Sequence, residues 1–268
     1  MEQLKETIKS SRKIVVKIGS NVLSDENGMV NKKVIHNIAE QVKELMDMGK
    51  QVILVSSGAG ICGVGAINKW SRRGDINYKQ ALCAIGQVEL MMAYKEYFGE
   101  YGIHVAQILL TRDDFDDNHR TLNIRNAMFT LIDEGVVPVI NENDSVSVDE
   151  IKIGDNDTLA ALTASLWNAD LLIVLSDIDG VFDKDPKAND DAVLIEMVEN
   201  AEKLESEINI GEKSSFGTGG IATKIEAAAK VNKFGIPMLL LNGSKENIIR
   251  DGLEGKARGT LFLGTIGK

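Results

Sequence analysis

The segment KIVVKIGSNVL, residues 13–23, shows how this chain is organised. Its first half is rich in β-branched residues, which predicts a strand, and a glycine followed by small polar residues ends the run. Six similar apolar runs follow, and stretches with apolar residues at helical spacing separate most of them. The predicted strands are 13–19, 51–57, 104–111, 136–141, 171–177, 236–242 and 259–264.

Helical patterns lie between these strands. After the first strand, apolar residues recur every three or four positions from Val34 to Met46, with Asn31 as the expected cap and Gly49 as the stop. Further helices are predicted near 78–98, 119–134, 157–168 and 221–234. Apolar strands that alternate with helices indicate an α/β fold, in which a mostly parallel sheet is covered on both faces. Because no linker-like stretch occurs, we expect one continuous unit.

The composition excludes several classes of protein. The 268 residues include 44% apolar residues, enough for a sizeable core, and carry a formal net charge of −10. An acidic chain is poorly suited to phosphate backbones, so we expect no nucleic-acid partner. Cys62 and Cys83 form no CxxC motif, so neither a disulfide framework nor a structural zinc site is expected. The polar N-terminus and the lack of a long apolar run predict a cytoplasmic protein without a membrane segment.

Polar and glycine-rich segments follow four of the predicted strands. These segments are 17–21, 56–60, 141–144 and 176–180. In an open α/β sheet, ligands bind beyond the carboxyl ends of the strands. The sequence therefore predicts a ligand site at this edge of the sheet.

The segment GAGICG, residues 58–63, matches the GxGxxG pattern of dinucleotide-binding proteins. That pattern needs a second strand ending in an acidic residue about 20 residues later. Here the polar segment NKWSRRGDINYKQ (68–80) follows, and its Asp75 has no predicted strand to end. A dinucleotide-dependent oxidoreductase is therefore poorly supported. What remains is a glycine-rich turn at a helix start, whose N–H groups can bind a phosphate or a carboxylate.

Two lysines stand beside glycine-rich backbone in distant parts of the chain. Lys17 interrupts an apolar strand, where an ammonium group without a partner is costly, so we expect it to face an anion. Lys224 ends the run FGTGGIATK (216–224), which leads into a predicted helix. Such cations suit phosphoryl transfer because they stabilise the charge of the migrating group. Asp157 could orient such a lysine or cap its helix, and the glycine run could instead be an ordinary loop.

The segment NENDSVSVDEIKIGDND, residues 141–157, carries six carboxylates and three carboxamides. Facing a cleft, such groups can bind an ammonium group, with Asp144 supplying charge and Asn156 a directional acceptor. Backbone N–H groups near Ser57 and Gly58 could bind a carboxylate, and together these groups describe a pocket for an amino acid. A calcium loop is not supported, because the D-x-[DN]-x-[DN]-G pattern is absent, whereas a plain solvated loop remains open.

Several segments together resemble the glutamate 5-kinases of the amino acid kinase family. They span about residues 12–264 and include VVKIGSNVL, VILVSSGA, AIGQ, GIHVAQILLTRDD, TLNIRNAMFTLIDEGVVPVINENDSV, IKIGDND, LSDIDGVFDKDPK and GTGGIATKIEAAAKV. The resemblance implies a three-layer αβα sandwich and one amino acid kinase domain over residues 1–268. It places a glutamate-binding lobe at roughly 1–165 and an ATP-binding lobe at roughly 166–268.

The same resemblance implies an activity and partners. The expected reaction is ATP-dependent phosphorylation of the γ-carboxylate of L-glutamate to L-glutamyl 5-phosphate, the first step of proline biosynthesis, with Mg²⁺ accompanying ATP. Proline is the expected feedback inhibitor, and a homo-oligomer, either a dimer or a tetramer, is the expected assembly.

The resemblance also assigns roles to residues. Lys17 and Lys224 are expected to stabilise the transferred phosphoryl group, and Asp157 is expected to hold both lysines. The residues expected to bind glutamate are Ser57, Gly58, Asp144 and Asn156. The residues expected at ATP are Lys17, Gly19, Ser176, Asp177, Thr218, Gly219, Gly220, Ile221, Ala222, Thr223 and Lys224. No residue is expected to bind a metal ion directly.

Two features depart from the family pattern. Many relatives carry a C-terminal PUA domain, which resembles RNA-modification modules, and this chain is expected to lack it. Gly60 stands where a bulkier apolar residue is expected, and we expect it to tune the affinity for glutamate.

Two other interpretations stay within the fold. A kinase could act on another small acid such as acetylglutamate, aspartate or carbamate. A non-catalytic regulatory protein would be expected to lack Asp157 or one of the two lysines, and this chain has all three.

Overall fold

The computed structural model describes residue 6 and residues 8–68, 75–147, 156–210 and 220–264, with only the backbone of residues 207–210. The strands in these ranges are β1 Lys13–Ile18, β2 Gln51–Val55, β3 Val105–Leu110, β4 Val137–Glu142, β5 Leu171–Ser176, β6 Met197–Val198, β7 Met238–Asn242 and β8 Gly259–Phe262. They form one sheet in the order β3-β4-β2-β1-β5-β7-β8-β6. Neighbouring strands are parallel from β3 to β7, whereas β8 runs antiparallel to β7.

Helices cover both faces of this sheet. Their bounds are α1 Ser20–Leu23, α2 Lys32–Asp47, α3 Ala59–Ile67, α4 Ile76–Gly99, α5 Asp113–Asp116, α6 Asn118–Asp133, α7 Asp157–Trp167, α8 Ala201–Ile210, α9 Gly220–Asn232 and α10 Ile248–Leu253. Within the described part of the chain, no helix combines the length and the apolar character needed to cross a membrane.

The central strands divide their side chains between two hydrophobic cores. On β1, Ile14 and Val16 belong to the first core, whereas Val15 belongs to the second. This alternation follows from the two-residue period of a strand, and it explains the continuous apolar run of a strand covered on both sides. Helices α2, α4 and α10 cover the first core, and α6, α7 and α9 cover the second. The predicted three-layer αβα sandwich with a mostly parallel sheet is therefore confirmed.

All seven predicted strands and all five predicted helices occur, with ends that shift by a few residues. The prediction missed β6 and several helices, among them α1, α3, α8 and α10. Strand β6 has two residues and α1 has four, too few to show a periodic pattern. Helix α3, with the sequence AGICGVGAI, was obscured by its glycines, which lower helix propensity.

One glycine on α3 and one on α4 allow these two helices to touch. A Cβ atom placed on Gly63 would lie 1.9 Å from the carbonyl oxygen of Leu82, and one on Gly86 would lie 1.8 Å from that of Ala59. No side chain fits at either position, so the backbones of the two helices pack directly against each other. This contact fixes α4 against the turn that follows β2.

Replacing Gly86 by alanine is therefore expected to lower the free energy of unfolding by about 3 kcal/mol, the upper end for overpacking, because the obstructing atoms belong to backbone and cannot rotate away. Gly99→Ala is the matched control on the same helix, since a Cβ atom there meets nothing within 4 Å. Urea denaturation of both variants measures the difference. Equal stability of the two would contradict the direct backbone contact.

Candidate active site

The site lies where the connections of the sheet change direction. The chain passes from β1 to β2 on one side of the sheet and from β5 to β7 on the other, and β1 and β5 are neighbours. Such a change of direction opens a crevice at the carboxyl ends of the two strands. Lys17 is the second-to-last residue of β1, and Asp177 directly follows β5.

Lys17 and Lys224 meet at one carboxylate in this crevice. The Nζ atom of Lys17 lies 2.6 Å from Oδ1 of Asp157, and that of Lys224 lies 3.0 Å from Oδ2. Thr223 donates a hydrogen bond of 3.0 Å from its hydroxyl to the same Oδ2 atom. Exposure is 1% for Lys17, 0% for Asp157 and 6% for Lys224. Charges this deeply buried are stable only when paired, so the three side chains hold one another in place.

The local structure explains why these three residues converge. Lys17 has the same parity along β1 as Val15 and therefore points to the face covered by α7 and α9. Asp157 is the first residue of α7, where the positive end of the helix dipole favours a carboxylate. The cap position itself belongs to Asn156, whose side chain makes no capping hydrogen bond. Lys224 lies in the first turns of α9, and its Nζ also donates to the carbonyl of Gly220 at 3.0 Å.

Three of the residues predicted at the nucleotide, Gly19, Ser176 and Asp177, lie at the ends of β1 and β5. The N–H of Gly19 donates to the carbonyl of Leu175 at 2.9 Å, and a Cβ atom on Gly19 would lie 3.1 Å from that oxygen. Ser176, the last residue of β5, donates from its hydroxyl to Oδ1 of Asp177 at 3.2 Å. Asn21 donates to Oδ2 of Asp177 at 2.9 Å.

Asp177 is held in its ionised form by this environment. Partial burial acts to raise its pKa, but hydrogen bonds from Asn21 and Ser176, together with the positive charge of Lys224, lower the pKa overall. The crevice beside the end of β5 therefore carries a carboxylate that stays charged at neutral pH.

Only part of the glycine-rich run can be located. Thr218 and Gly219 lie outside the described residues. Gly220 begins α9, and the predicted nucleotide residues after it form its first turn. Ile221 packs into the second core at 7% exposure, whereas Ala222 is exposed. Ile221 can therefore offer only its backbone to a ligand.

The turn after β2 lies next to the start of α7, because the side chain of Asn156 donates to the carbonyl of Ser56. Gly58 adopts φ of +83° as the residue before α3, a conformation that side chains rarely tolerate. Ser57 is 3% exposed, and its hydroxyl has no hydrogen-bond partner among the described residues. The main chain and side chain of this turn thus offer donors at a helix N-terminus, as predicted for binding an anion.

Asn156 connects this turn to the end of β4. Its amide nitrogen donates to the carbonyl of Ser56 and to Oδ1 of Asn141, both at 2.5 Å. Asn141 in turn donates to Oε1 of Gln87 on α4 at 2.7 Å. The nitrogen of Asn156 is therefore already hydrogen-bonded within the protein, and its carbonyl oxygen is the atom that can accept from a ligand.

Asp144 lines a cavity of about 450 Å³ between α4 and the loop after β4, together with Cys83, Gln87 and Asn143. Burial, with the adjacent Asp144 carboxylate, raises the pKa of the Cys83 thiol to about 12. Cys83 is therefore a neutral neighbour of Asp144 at physiological pH. Its sulfur also lies 3.3 Å from the place of a Cβ atom on Gly60, so it occupies the space that a larger residue at position 60 would need.

The structure brings the described members of the predicted site to one edge of the sheet, and it adds two residues that were not predicted to bind. Gln87 and Asn141 are both buried and hydrogen-bonded to each other. A signal existed for Gln87, because it lies among the buried residues Leu82, Gly86 and Leu90 on a helix face that is otherwise apolar or small. A polar side chain on such a face usually has a specific partner.

The chain matches known proteins over most of its length. Residues 12–242 match the model of the amino acid kinase family. The chain is 61% identical over 259 residues to a glutamate 5-kinase from Alkaliphilus metalliredigens, covering 97% of this chain and 98% of that protein. It is 50% identical to a glutamate 5-kinase from Geobacter metallireducens, of which it covers 69%, and 96% of this chain is aligned.

Solved structures agree on the fold. A UMP kinase from Ureaplasma parvum superposes with a TM-score of 0.66 at 20% identity, covering 94% of this chain and 99% of that one. A carbamate kinase from Giardia lamblia superposes with a TM-score of 0.66 at 16% identity, covering 95% and 99%. The chain therefore belongs to the amino acid kinase family, in the branch formed by the glutamate 5-kinases.

Proposed function

We propose that this protein transfers the γ-phosphoryl group of ATP to the γ-carboxylate of L-glutamate, giving L-glutamyl 5-phosphate, the first step of proline biosynthesis. The name shared by its most similar relatives supports the substrate. The observation that carries the proposal is the buried cluster of Lys17, Asp157 and Lys224 at the crevice. Two ammonium groups fixed by one carboxylate are suited to a reaction that moves negative charge.

The proposed reaction needs no covalent enzyme intermediate. An oxygen of the γ-carboxylate forms a bond to the γ-phosphorus while the bond from that phosphorus to the bridging oxygen breaks, and ADP leaves with that electron pair. The attacking carboxylate is already ionised, so no proton has to be removed. Lys17 and Lys224 stabilise the oxygens of the transferred group, and Asp157 keeps both lysines in position. Positioning and electrostatics then supply the rate.

The two ends of the crevice would bind the two substrates. The N-terminal part of the chain provides Ser57, Gly58, Asp144 and Asn156 for glutamate, with Asp144 facing the ammonium group. The C-terminal part provides Ser176, Asp177 and the start of α9 for ATP. This division corresponds to the two lobes proposed at roughly 1–165 and 166–268 of the single domain.

Mg²⁺ is proposed to enter with ATP. It is ordinarily held by phosphate oxygens and water with one or two carboxylates, and it neutralises charge on the phosphates. Although the resemblance assigned no residue to the metal ion, Asp177 fits such a role, because its pKa is lowered and it stands at the proposed nucleotide end of the crevice. Feedback inhibition by proline, a homo-oligomeric assembly and a cytoplasmic location remain predictions.

A hydroxylamine trap tests the proposed function directly. Purified protein is incubated with Mg-ATP and hydroxylamine, with L-glutamate, N-acetyl-L-glutamate, L-aspartate, carbamate or buffer alone, and hydroxamate is scored for the amino acids while ADP is scored for all. We expect both signals with L-glutamate. Signal with another acid instead of L-glutamate would support the proposed phosphoryl transfer but contradict the proposed substrate. Absence of any signal would favour the regulatory interpretation.

Asp144→Ala is expected to raise the KM for glutamate at least tenfold while changing the KM for ATP less than threefold, because it removes the charge that faces the substrate ammonium group. Ser145→Ala on the same loop is the control, since that residue is exposed and uncharged. Initial rates with each substrate varied in turn provide the measurement. An equal change in both KM values would contradict the assignment of Asp144 to glutamate.

A further inference from the structure

Three buried carboxamides form a continuous chain across the glutamate end of the crevice. Gln87 on α4 accepts from Asn141, Asn141 accepts from Asn156, and Asn156 also donates to the carbonyl of Ser56, with distances of 2.7, 2.5 and 2.5 Å. Exposure is 9% for Gln87, 1% for Asn141 and 9% for Asn156. The chain joins α4, the end of β4, the start of α7 and the turn after β2. Such a connected network fixes the orientation of each amide.

The Nε2 group of Gln87 is the end of this chain. It is buried from solvent and has no hydrogen-bond partner among the described residues. Leaving a buried donor unsatisfied is costly, and native proteins seldom do so without a functional reason. The side chain lines the same cavity as Asp144. An amide fixed in this way at the wall of a cavity is a candidate donor for a ligand that enters there.

The structure of glutamate indicates which of its groups can accept a hydrogen bond from Gln87. Glutamate has two carboxylates, and the γ-carboxylate must reach the phosphoryl group at Lys17 and Lys224. Asp144 takes the ammonium group, which is bonded to the same carbon as the α-carboxylate. We propose that Gln87 binds the α-carboxylate of glutamate through Nε2, adding a side-chain donor to those of the turn at Ser57. This inference rests on the proposed function and deepens it.

A donor at this place would contribute to the choice of substrate. A site built to pair a buried polar group rejects an analogue that lacks the matching group, because the protein group is then left unsatisfied. Gln87 would thus favour α-amino acids over small acids that carry the reacting carboxylate but no α-carboxylate.

The test compares glutamate with 4-aminobutyrate, which keeps the reacting carboxylate and the amino group but lacks the α-carboxylate. Gln87→Leu is expected to raise the KM for glutamate about 10- to 100-fold, the range for a lost hydrogen bond to a charged group, with kcat and the KM for ATP changed less than threefold. The inhibition constant of 4-aminobutyrate against glutamate is expected to stay within threefold of the wild-type value.

Two further variants make the comparison independent of folding. Gln51→Leu is the control, because it makes the same chemical change at the first residue of β2, at the opposite end of the strand from the site, and its KM for glutamate should not change. Gln87→Glu keeps an oxygen that can accept from Asn141 but places a carboxylate against the substrate carboxylate, so it should also raise the KM. If Gln87→Leu does not fold, Gln87→Glu provides the test.

The outcomes separate this inference from the proposed function. An unchanged KM for glutamate in both Gln87 variants, with active wild-type enzyme, would overturn the inference and leave the function intact. An equal rise in the KM for glutamate and in the inhibition constant of 4-aminobutyrate would also overturn it, because Gln87 would then act only by holding Asn141 and Asn156. A wild-type protein inactive on glutamate would overturn the proposed function itself.

Discussion

Lys224→Ala is expected to lower kcat by about 10²- to 10³-fold, the effect of removing one fixed charge-stabilising donor from a site where negative charge moves. The ammonium group is nearly fully buried and is held at 3.0 Å by both the Asp157 carboxylate and the Gly220 carbonyl. A cation already fixed in this way needs no reorganisation as the phosphoryl group transfers. The substitution should therefore lower kcat much more than it changes the KM for either substrate.

Lys230→Ala is the matched control for that variant. Lys230 lies on the same helix, but its side chain is 39% exposed and pairs with Glu226 at 2.8 Å. Steady-state kinetics of both variants, with melting temperatures to show that each is folded, provide the comparison. A folded Lys224→Ala enzyme with unchanged kcat would remove Lys224 from the chemistry.

The sequence was most informative about the central sheet. Strands such as β1 and β5 are buried on both faces, and so their apolar runs are continuous and easily recognised. Helix α3 was missed because its glycines lower helix propensity, and those glycines are needed for a contact with α4 that only the folded structure reveals. Local propensity and tertiary packing conflict at this helix, and packing prevails.

Site residues could be selected from the sequence where a residue was unusual for its secondary-structure element. Lys17 could be selected because an ammonium group in a buried strand requires an anion. The contact between Gln87 and Asn141 spans 54 positions, and that between Asn156 and Ser56 spans 100. Neither pair has a pattern in the sequence, because each contact depends on how the two elements that carry its residues are placed in three dimensions.

Asp157→Asn is expected to lower the free energy of unfolding by about 3–5 kcal/mol, because it leaves the ammonium groups of Lys17 and Lys224 buried without their shared carboxylate. The carboxylate is 0% exposed, so water cannot replace it. Asp117→Asn, the same change at a helix N-terminus, is the control. Asp117 caps α6 and is exposed, and asparagine caps nearly as well, so its effect should be small.

A second substitution tests the electrostatic cause of that loss. In the double variant Lys17→Met and Asp157→Asn, one of the two buried cations is removed along with the carboxylate, so part of the stability lost in Asp157→Asn should return. Urea denaturation of the wild type, both single variants and the double variant measures the coupling. Strictly additive losses would show that Lys17 and Asp157 do not stabilise each other. Recovery of stability would identify the carboxylate as the counter-charge that lets the two lysines be buried.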